Sequence, residues 1–313
     1  MQFPRFLDNR QIPLLRKAVL LAAISITTAV AAPTANGDDE ETTSAAPREF
    51  QPDSKVLYKT AGDVELRLHI FRPNGHAPEA KAPAIVFFFG GGFLKGDPSQ
   101  FYGQSRHLAE RGMVAISAEY RVKSIHGTDS ATCVRDAKSA MRWIRSHAEE
   151  LGIDPDRIAA GGGSAGGFLA AATATIPGYN EPGEDSKVNC RPDALVIFNG
   201  PFDARPDGSG FEKALLRPGR DFLPINHISA PFPPTILLLG DKDHIIPPES
   251  ARNTKAVIEK VGGRCDLHLY EGQSHSFFNA RKSGGKYYNL TLQEVDQFFT
   301  SLGWIPNAPT AVK

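Results

Sequence analysis

One serine, Ser164, sits among the glycines of Gly161-Gly162-Gly163-Ser164-Ala165-Gly166-Gly167, between the apolar run Ile158-Ala159-Ala160 and the helix-favouring run Phe168-Leu169-Ala170-Ala171-Ala172. An apolar run that passes through glycines straight into helix formers predicts a strand turning sharply into a helix, with the apex residue in a sparsely populated backbone region. Gly162 and Gly166 leave room for the crowding at such a turn. The serine hydroxyl is then pushed outward, where it can attack a carbonyl carbon.

A hydroxyl is a poor nucleophile until a base takes its proton and a third group fixes the tautomer of that base. His275, in Glu271-Gly272-Gln273-Ser274-His275-Ser276-Phe277-Phe278, and Asp243, in Leu239-Gly240-Asp241-Lys242-Asp243-His244-Ile245-Ile246-Pro247, are the candidates for base and acid. Each follows directly on an expected strand, and the chain order Ser164, Asp243, His275 is the order that accompanies a serine at a strand-to-helix elbow. Asp241 reads as a turn cap and His244 as solvent-facing. Negative charge developing on the attacked oxygen also needs donors, each backbone N–H being worth about 3 kcal/mol. The run Phe88-Phe89-Gly90-Gly91-Gly92-Phe93 supplies them, since successive glycines let bare amides approach a substrate. The amides of Gly91 and Gly92, with that of Ala165, are assigned to this oxyanion hole. Phe93, Phe277 and Phe278 are candidates for the wall of an acyl pocket. This chemistry requires no cofactor and no metal.

These loops need strands and helices to bring them together. Strand-like runs cover Val64 to Phe71, Ala84 to Phe89, Val114 to Glu119, Arg157 to Gly161, Ala194 to Phe198, Thr235 to Leu239 and Asp266 to Tyr270. Helical patterns alternate with them. The clearest is expected from about Ala131 to Leu151, where Val134, Ala137, Met141, Ile144 and Ala148 recur at spacings of three and four before Gly152. The strands at Ala84 to Phe89 and Thr235 to Leu239 are apolar on both faces, as central strands of a parallel sheet are. The expected class is therefore α/β: a mostly parallel central sheet flanked by helices, opening with one antiparallel hairpin around Ala61-Gly62. Catalytic residues in such a sheet fall just past the C-terminal ends of strands.

The chain has 313 residues, 41% of them hydrophobic, and its 35 basic and 35 acidic residues cancel. That balance implies no large basic face, so nucleic acid is not an expected partner. Arg5, Arg10, Arg16 and Lys17 precede an apolar stretch from Ala18 to Ala32 that contains Ala29-Val30-Ala31. A cationic start, a short apolar core and a small-residue end describe a secretory signal peptide, too short to span a bilayer. The expected organisation is a signal peptide at 1–31, a flexible acidic leader at 32–54, a catalytic domain at 55–305 and a tail at 306–313. The location that follows is exported, periplasmic or extracellular. In an oxidising compartment Cys133, Cys190 and Cys265 allow at most one intramolecular bridge, and spacing does not choose the pair.

Taken together, from about Val56 to Leu302, the chain resembles α/β-hydrolases of the esterase/lipase type, in particular the hormone-sensitive-lipase-like carboxylesterases and related carbohydrate esterases. Those enzymes carry an HGGG loop, a G-x-S-x-G elbow, a Gly-x-x-Asp loop and a Gly-x-x-His-x-Phe loop. Their counterparts here are Gly90-Gly91-Gly92, Gly162 to Gly166, Gly240 to Asp243 and Gly272 to Phe277. The resemblance implies a serine hydrolase cleaving short-chain acyl or carbohydrate acetyl esters through an acyl-enzyme. Two departures stand out. Phe89 takes the place of the HGGG histidine, so the glycine loop is expected to be held by packing. The N-terminal cap helices have no counterpart, which leaves Pro201 to Phe232 as a short insert over an open site.

The glycine run also fits G-x-G-x-x-G through Gly161, Gly163 and Gly166, a dinucleotide-binding turn. That turn wants an acidic residue at a strand end about 20 positions on, and Glu184 and Asp185 lie instead in a Pro/Gly loop. A serine peptidase of the same fold would share the elbow, usually with an added N-terminal propeller or acidic residues that hold a peptide amine. A non-catalytic binding module of the same fold tends to lose the serine or the histidine, and this chain has both. An Arg121 to Asp136 ion pair is expected as a structural feature, and His126 as a solvated loop residue.

Overall fold

Apolar runs become buried strands wherever helices can cover both of their faces, and the sheet is built on that rule. The computed structural model describes residues 50–204 and 210–307, which fall within one compact unit, Thr43–Lys313. The expected signal peptide, most of the acidic leader and the end of the tail lie outside the described residues. Eight strands form one sheet: β1 (Ser54–Ala61), β2 (Val64–Phe71), β3 (Ala82–Phe88), β4 (Val114–Ala118), β5 (Ile153–Gly163), β6 (Ala194–Phe198), β7 (Thr235–Gly240) and β8 (Cys265–Tyr270). Their order is β1-β2-β4-β3-β5-β6-β7-β8. β1 and β2 form the expected antiparallel hairpin, β2 meets β4 antiparallel, and every pairing from β4 to β8 is parallel.

Seven helices accompany the strands among the described residues: α1 (Tyr102–Glu110), α2 (Lys123–His126), α3 (Ser130–Ser146), α4 (Ala165–Thr175), α5 (Gly210–Leu216), α6 (Pro248–Lys260) and α7 (Lys286–Ser301). Alternate residues of β3 show how the layers share the sheet. Ile85 and Phe87 join a core with α1 and α7, whereas Val86 and Phe88 join the core with α3 and α4. Successive side chains on a strand point to opposite faces, so an all-apolar strand needs cover on both.

α3 is shorter than its periodicity predicts. It ends at Ser146, where the Ser146 hydroxyl donates to Trp143 O at 3.0 Å and the His147 ring stacks on Trp143. The apolar pattern nevertheless continues, because Ala148 and Leu151 stay buried on the turns that lead to Gly152. Periodicity reports a buried face, and a run of turns can carry that face past the end of a helix.

α4 is buried from Ala165 to Thr173, the pattern of a helix covered on all sides. One side faces the sheet and another meets the segment that follows β6. In that segment Phe222 is fully buried and packs against Phe168 and Tyr179, and Ala214 O accepts from the Ser130 hydroxyl at 2.6 Å. The short insert expected from Pro201 to Phe232 is thus anchored to the starts of α3 and α4. Residues 205–209 within it lie outside the described residues.

Candidate active site

The turn from β5 into α4 forces Ser164 to φ 52, ψ −118, a strained conformation for any residue with a side chain. What makes so tight a turn possible is the absence of side chains around it. A Cβ on Gly166 would lie 1.9 Å from Phe88 O, and one on Gly162 would lie 2.5 Å from both Gly166 C and Phe88 O. The elbow is held from below as well, since the Ser164 N–H donates to Phe198 O at the end of β6.

The loops after β7 and β8 meet because Gly240 lets them. A Cβ there would come within 2.1 Å of Gln273 O, and the Lys242 N–H donates to that same oxygen at 2.9 Å. Asp241 caps the junction as expected, its Oδ1 accepting from the Gly272 N–H at 2.7 Å. His244 is exposed, also as expected. The structure therefore brings three distant residues into one line. His275 Nε2 is 2.9 Å from Ser164 Oγ, and His275 Nδ1 is 2.7 Å from Asp243 Oδ2. The other carboxylate oxygen, Asp243 Oδ1, accepts from the N–H groups of Ile245 and Ile246 at 2.9 Å each. The Asp243 side chain is fully buried and that of His275 is 13% exposed. A buried carboxylate that accepts from two amides and one imidazole has its orientation fixed before any substrate arrives.

The glycine loop after β3 lies beside this line. Gly91, Gly92 and Phe93 have φ of 111, 63 and 63, so three successive residues lie in the left-handed half of backbone space. Gly91 O turns inward to accept from Leu94 and Lys95. Among the described residues the N–H groups of Gly91, Gly92 and Ala165 donate to no protein acceptor, which leaves them for an oxyanion. The expectation that packing holds this loop is half of what the structure contains. Phe89 does stack on Tyr120, with ring centroids 4.0 Å apart. Hydrogen bonds hold it too: Tyr120 donates to Phe89 O at 2.7 Å, and the Gly90 N–H donates to Gln100 Oε1 at 2.6 Å. Phe93 O and Leu94 O accept from Lys123 and Ser124 at the start of α2.

Gln100 also reaches the base loop, its Nε2 lying 3.4 Å from Asn279 Oδ1, while Asn279 Nδ2 donates to Ser276 O. One amide side chain thus links the oxyanion loop to the loop that carries His275. Replacing Gln100 with alanine should lower kcat about tenfold with little change in KM, because it frees the donors without touching the triad. Steady-state kinetics on p-nitrophenyl acetate check this, and an unchanged kcat would mean that the Phe89–Tyr120 stack alone suffices.

All three candidate pocket aromatics belong to the core instead. Phe277 and Phe278 are 2% and 1% exposed and pack among Tyr270, Tyr287, Phe101 and Phe198. An aromatic pair after a catalytic histidine looks the same in sequence whether it faces a pocket or a core. Phe93 is 2% exposed as well and packs between Phe168 and Phe211. Farther from the nucleophile, Arg121 grips Asp136 through Nε and Nη2 at 2.9 and 2.7 Å, as expected, and Lys59 joins the same carboxylate at 2.7 Å. The bond to Asp136 holds the Arg121 guanidinium above its ordinary range, against the opposing effect of burial. His126 is more tightly held than expected, half-buried with Nδ1 against the Val122 backbone.

The three cysteines are unbridged. Burial pushes the Cys133 thiol well up and the Cys265 thiol up to about 12, so neither competes with Ser164 as a nucleophile. Among the described residues no group of three or more His, Cys, Asp or Glu side chains is placed to hold a metal ion, and no helix is long and apolar enough to cross a membrane.

Sequence reasoning passed over Gln100, Asn279 and Asn199. The first two act across 10 and 179 residues of chain and carry no local signature. The Asn199-Gly200 pair does carry one, since asparagine before glycine at a strand end signals a turn through left-handed backbone.

Similarity to known proteins follows the same outline. Residues 68–205 match the BD-FAE family and residues 194–301 the Dienelactone hydrolase family. The esterase LipC of Mycobacterium tuberculosis is 32% identical over 71% of this chain, and the probable carboxylic ester hydrolase LipM of the same organism is 30% identical over 66%. The matches span 59% and 51% of those two relatives, so the chain covers little more than half of their length. Among solved structures, the apo form of Thermogutta terrifontis esterase 2 is 40% identical, with a TM-score of 0.78 over 82% of this chain and 96% of that one. The same esterase has been solved with propionate bound, at 38% identity over 83% of this chain and 98% of that one, and a TM-score of 0.78. It has also been solved phosphonylated by cyclosarin, at 40% identity over 82% and 96% of the two chains and the same TM-score. With an eight-stranded, mostly parallel sheet, a serine at the elbow after its fifth strand and 40% identity across nearly the whole of a solved esterase, this chain belongs to the α/β-hydrolase esterases.

Proposed function

We propose that the protein is an exported serine hydrolase that cleaves carboxylic esters of short acyl chains, including acetyl groups on carbohydrates. The observation that carries this reading is the unbroken line from Ser164 Oγ through the His275 ring to the buried Asp243 carboxylate. Ser164 Oγ attacks the ester carbonyl as its proton passes to His275 Nε2. The imidazolium that forms is stabilised through Nδ1 by Asp243. Charge on the carbonyl oxygen falls to the amides of Gly91, Gly92 and Ala165. Collapse expels the alcohol with the proton from Nε2 and leaves an acyl-Ser164 ester. A water molecule, deprotonated by His275, then releases the acid and restores the serine.

Short chains are favoured because the insert folds back on α3 and α4 and because the propionate-bound structure belongs to a relative 38% identical to this chain. Carbohydrate as the alcohol side rests on the resemblance of the motifs to those of carbohydrate esterases. Export rests on the cationic and apolar pattern of residues 5–32. Hydrolysis of p-nitrophenyl esters of two to twelve carbons should peak at two to four carbons and fall at least about tenfold by ten, one or two lost methylene contacts being worth that much in a small pocket. Acetate release from acetylated xylan should accompany it. A maximum at ten or twelve carbons would replace this substrate class with lipid.

A further inference from the structure

Where β6 ends, Asn199 adopts φ 38, a left-handed conformation that asparagine tolerates better than most residues. Its backbone N–H donates to Leu238 O at 2.8 Å, and the preceding Phe198 O accepts from the Ser164 N–H at 2.9 Å. The end of β6 is thereby tied to the nucleophile on one side and to the strand that leads to Asp243 on the other. From this anchor the side-chain amide reaches the imidazole of His275. Nδ2 lies 3.2 Å from Nδ1 and 3.1 Å from Nε2. A group equally near both ring nitrogens cannot lie in the ring plane without colliding with Cε1 or with the Cγ–Cδ2 edge. The in-plane directions of the two nitrogens are also taken, by Asp243 and Ser164. The amide therefore lies across the face of the ring, where an N–H meets the π cloud. Its Oδ1 is buried and has no hydrogen-bond partner among the described residues. An unmet acceptor on a residue 1% exposed costs stability, and glycine would meet the left-handed backbone without that cost, so the backbone alone does not account for the amide.

We propose that Asn199 is a positioning residue for His275: its amide covers one face of the imidazole and fixes the plane in which the ring meets both Ser164 and Asp243. This rests on the triad reading above. During turnover the Ser164 bond to Nε2 is broken while the proton moves to the leaving alcohol and, later, comes from water. At those stages the ring is held at Nδ1 alone and can tilt about that bond. A rigid amide on its face, anchored through the β6 backbone, limits the tilt and keeps Nε2 aimed at the reacting oxygen.

Asn199→Gly is the informative variant, because glycine accepts this backbone without strain. With the triad intact, kcat on p-nitrophenyl acetate should fall about tenfold while KM stays within about twofold. In a His275→Ala background the same change should leave the residual rate unaltered, since no ring remains to be held. A kcat within about twofold of wild type, or an equal loss in both backgrounds, would overturn the proposal. If the glycine variant does not fold, Asn199→Asp keeps the shape and tolerates the same backbone. It sets a carboxylate against the face of the ring, out of the plane that holds Asp243 and Ser164, and should move the acidic limb of the kcat/KM profile to higher pH. An unmoved limb in that variant would contradict the face contact. Full activity in His275→Ala alone would instead remove the triad reading on which the proposal stands, so the two failures are separable.

Discussion

Ser164→Ala should lower turnover of p-nitrophenyl acetate by a thousandfold or more, with the fold intact. The variant deletes one oxygen at a half-exposed position whose backbone is already in place, held by Phe198 O below and by glycines on either side. Alanine keeps the Cβ and therefore the strain of φ 52, so the thermal midpoint should move little. The oxyanion donors also survive, and they set the residual rate above that of water. Stopped assays on purified protein, with circular dichroism as the folding control, give both numbers. Turnover within tenfold of wild type would require a different nucleophile.

Asp243→Asn should cost about as much, between roughly a thousandfold and ten-thousandfold in kcat. The geometry says why the nearly isosteric amide fails. Oδ2 accepts from His275 Nδ1, and Oδ1 accepts from the amides of Ile245 and Ile246. An asparagine has one acceptor end and one donor end. If its NH2 faces the ring, His275 must carry its proton on Nε2 and can no longer accept from Ser164. If its NH2 faces the loop, it meets two N–H donors in a site closed to water, a mismatch worth about 1–3 kcal/mol of stability for each group left unpaired. Either orientation removes the charge that stabilises the imidazolium. Activity loss together with a lower thermal midpoint is therefore expected, and a variant with neither would remove Asp243 from the triad.

The parts of this site that could be read from residues are those that chemistry writes locally. Ser164 is marked by its glycines and by the change from strand to helix pattern, and Asp243 and His275 by following strands directly. The strands were legible for the same reason, although β5 begins earlier than its apolar run, at Ile153, through a register shift against β3. What escaped was long-range or ambiguous. Gln100 anchors Gly90 through a side chain, with no pattern around it, and Asn199 meets a ring 76 residues away. Lys59 reaches both Asp136 and Glu181 from the first strand, a buried ion cluster that tertiary packing alone assembles. Phe93, Phe277 and Phe278 failed differently: burial drives aromatics into cores and into pockets alike, so spacing cannot separate the two. α3 failed at its end, because the apolar face outlasts the helical hydrogen bonds.

The most direct test is to treat the protein with a fluorophosphonate probe and map the adduct by mass spectrometry. An activated hydroxyl beside oxyanion donors should take one phosphonyl group per chain, on the peptide that holds Ser164, with simultaneous loss of ester hydrolysis and no adduct in Ser164→Ala. Hydrolysis that persists through full exposure to the probe, or an adduct carried on another residue, would contradict the account.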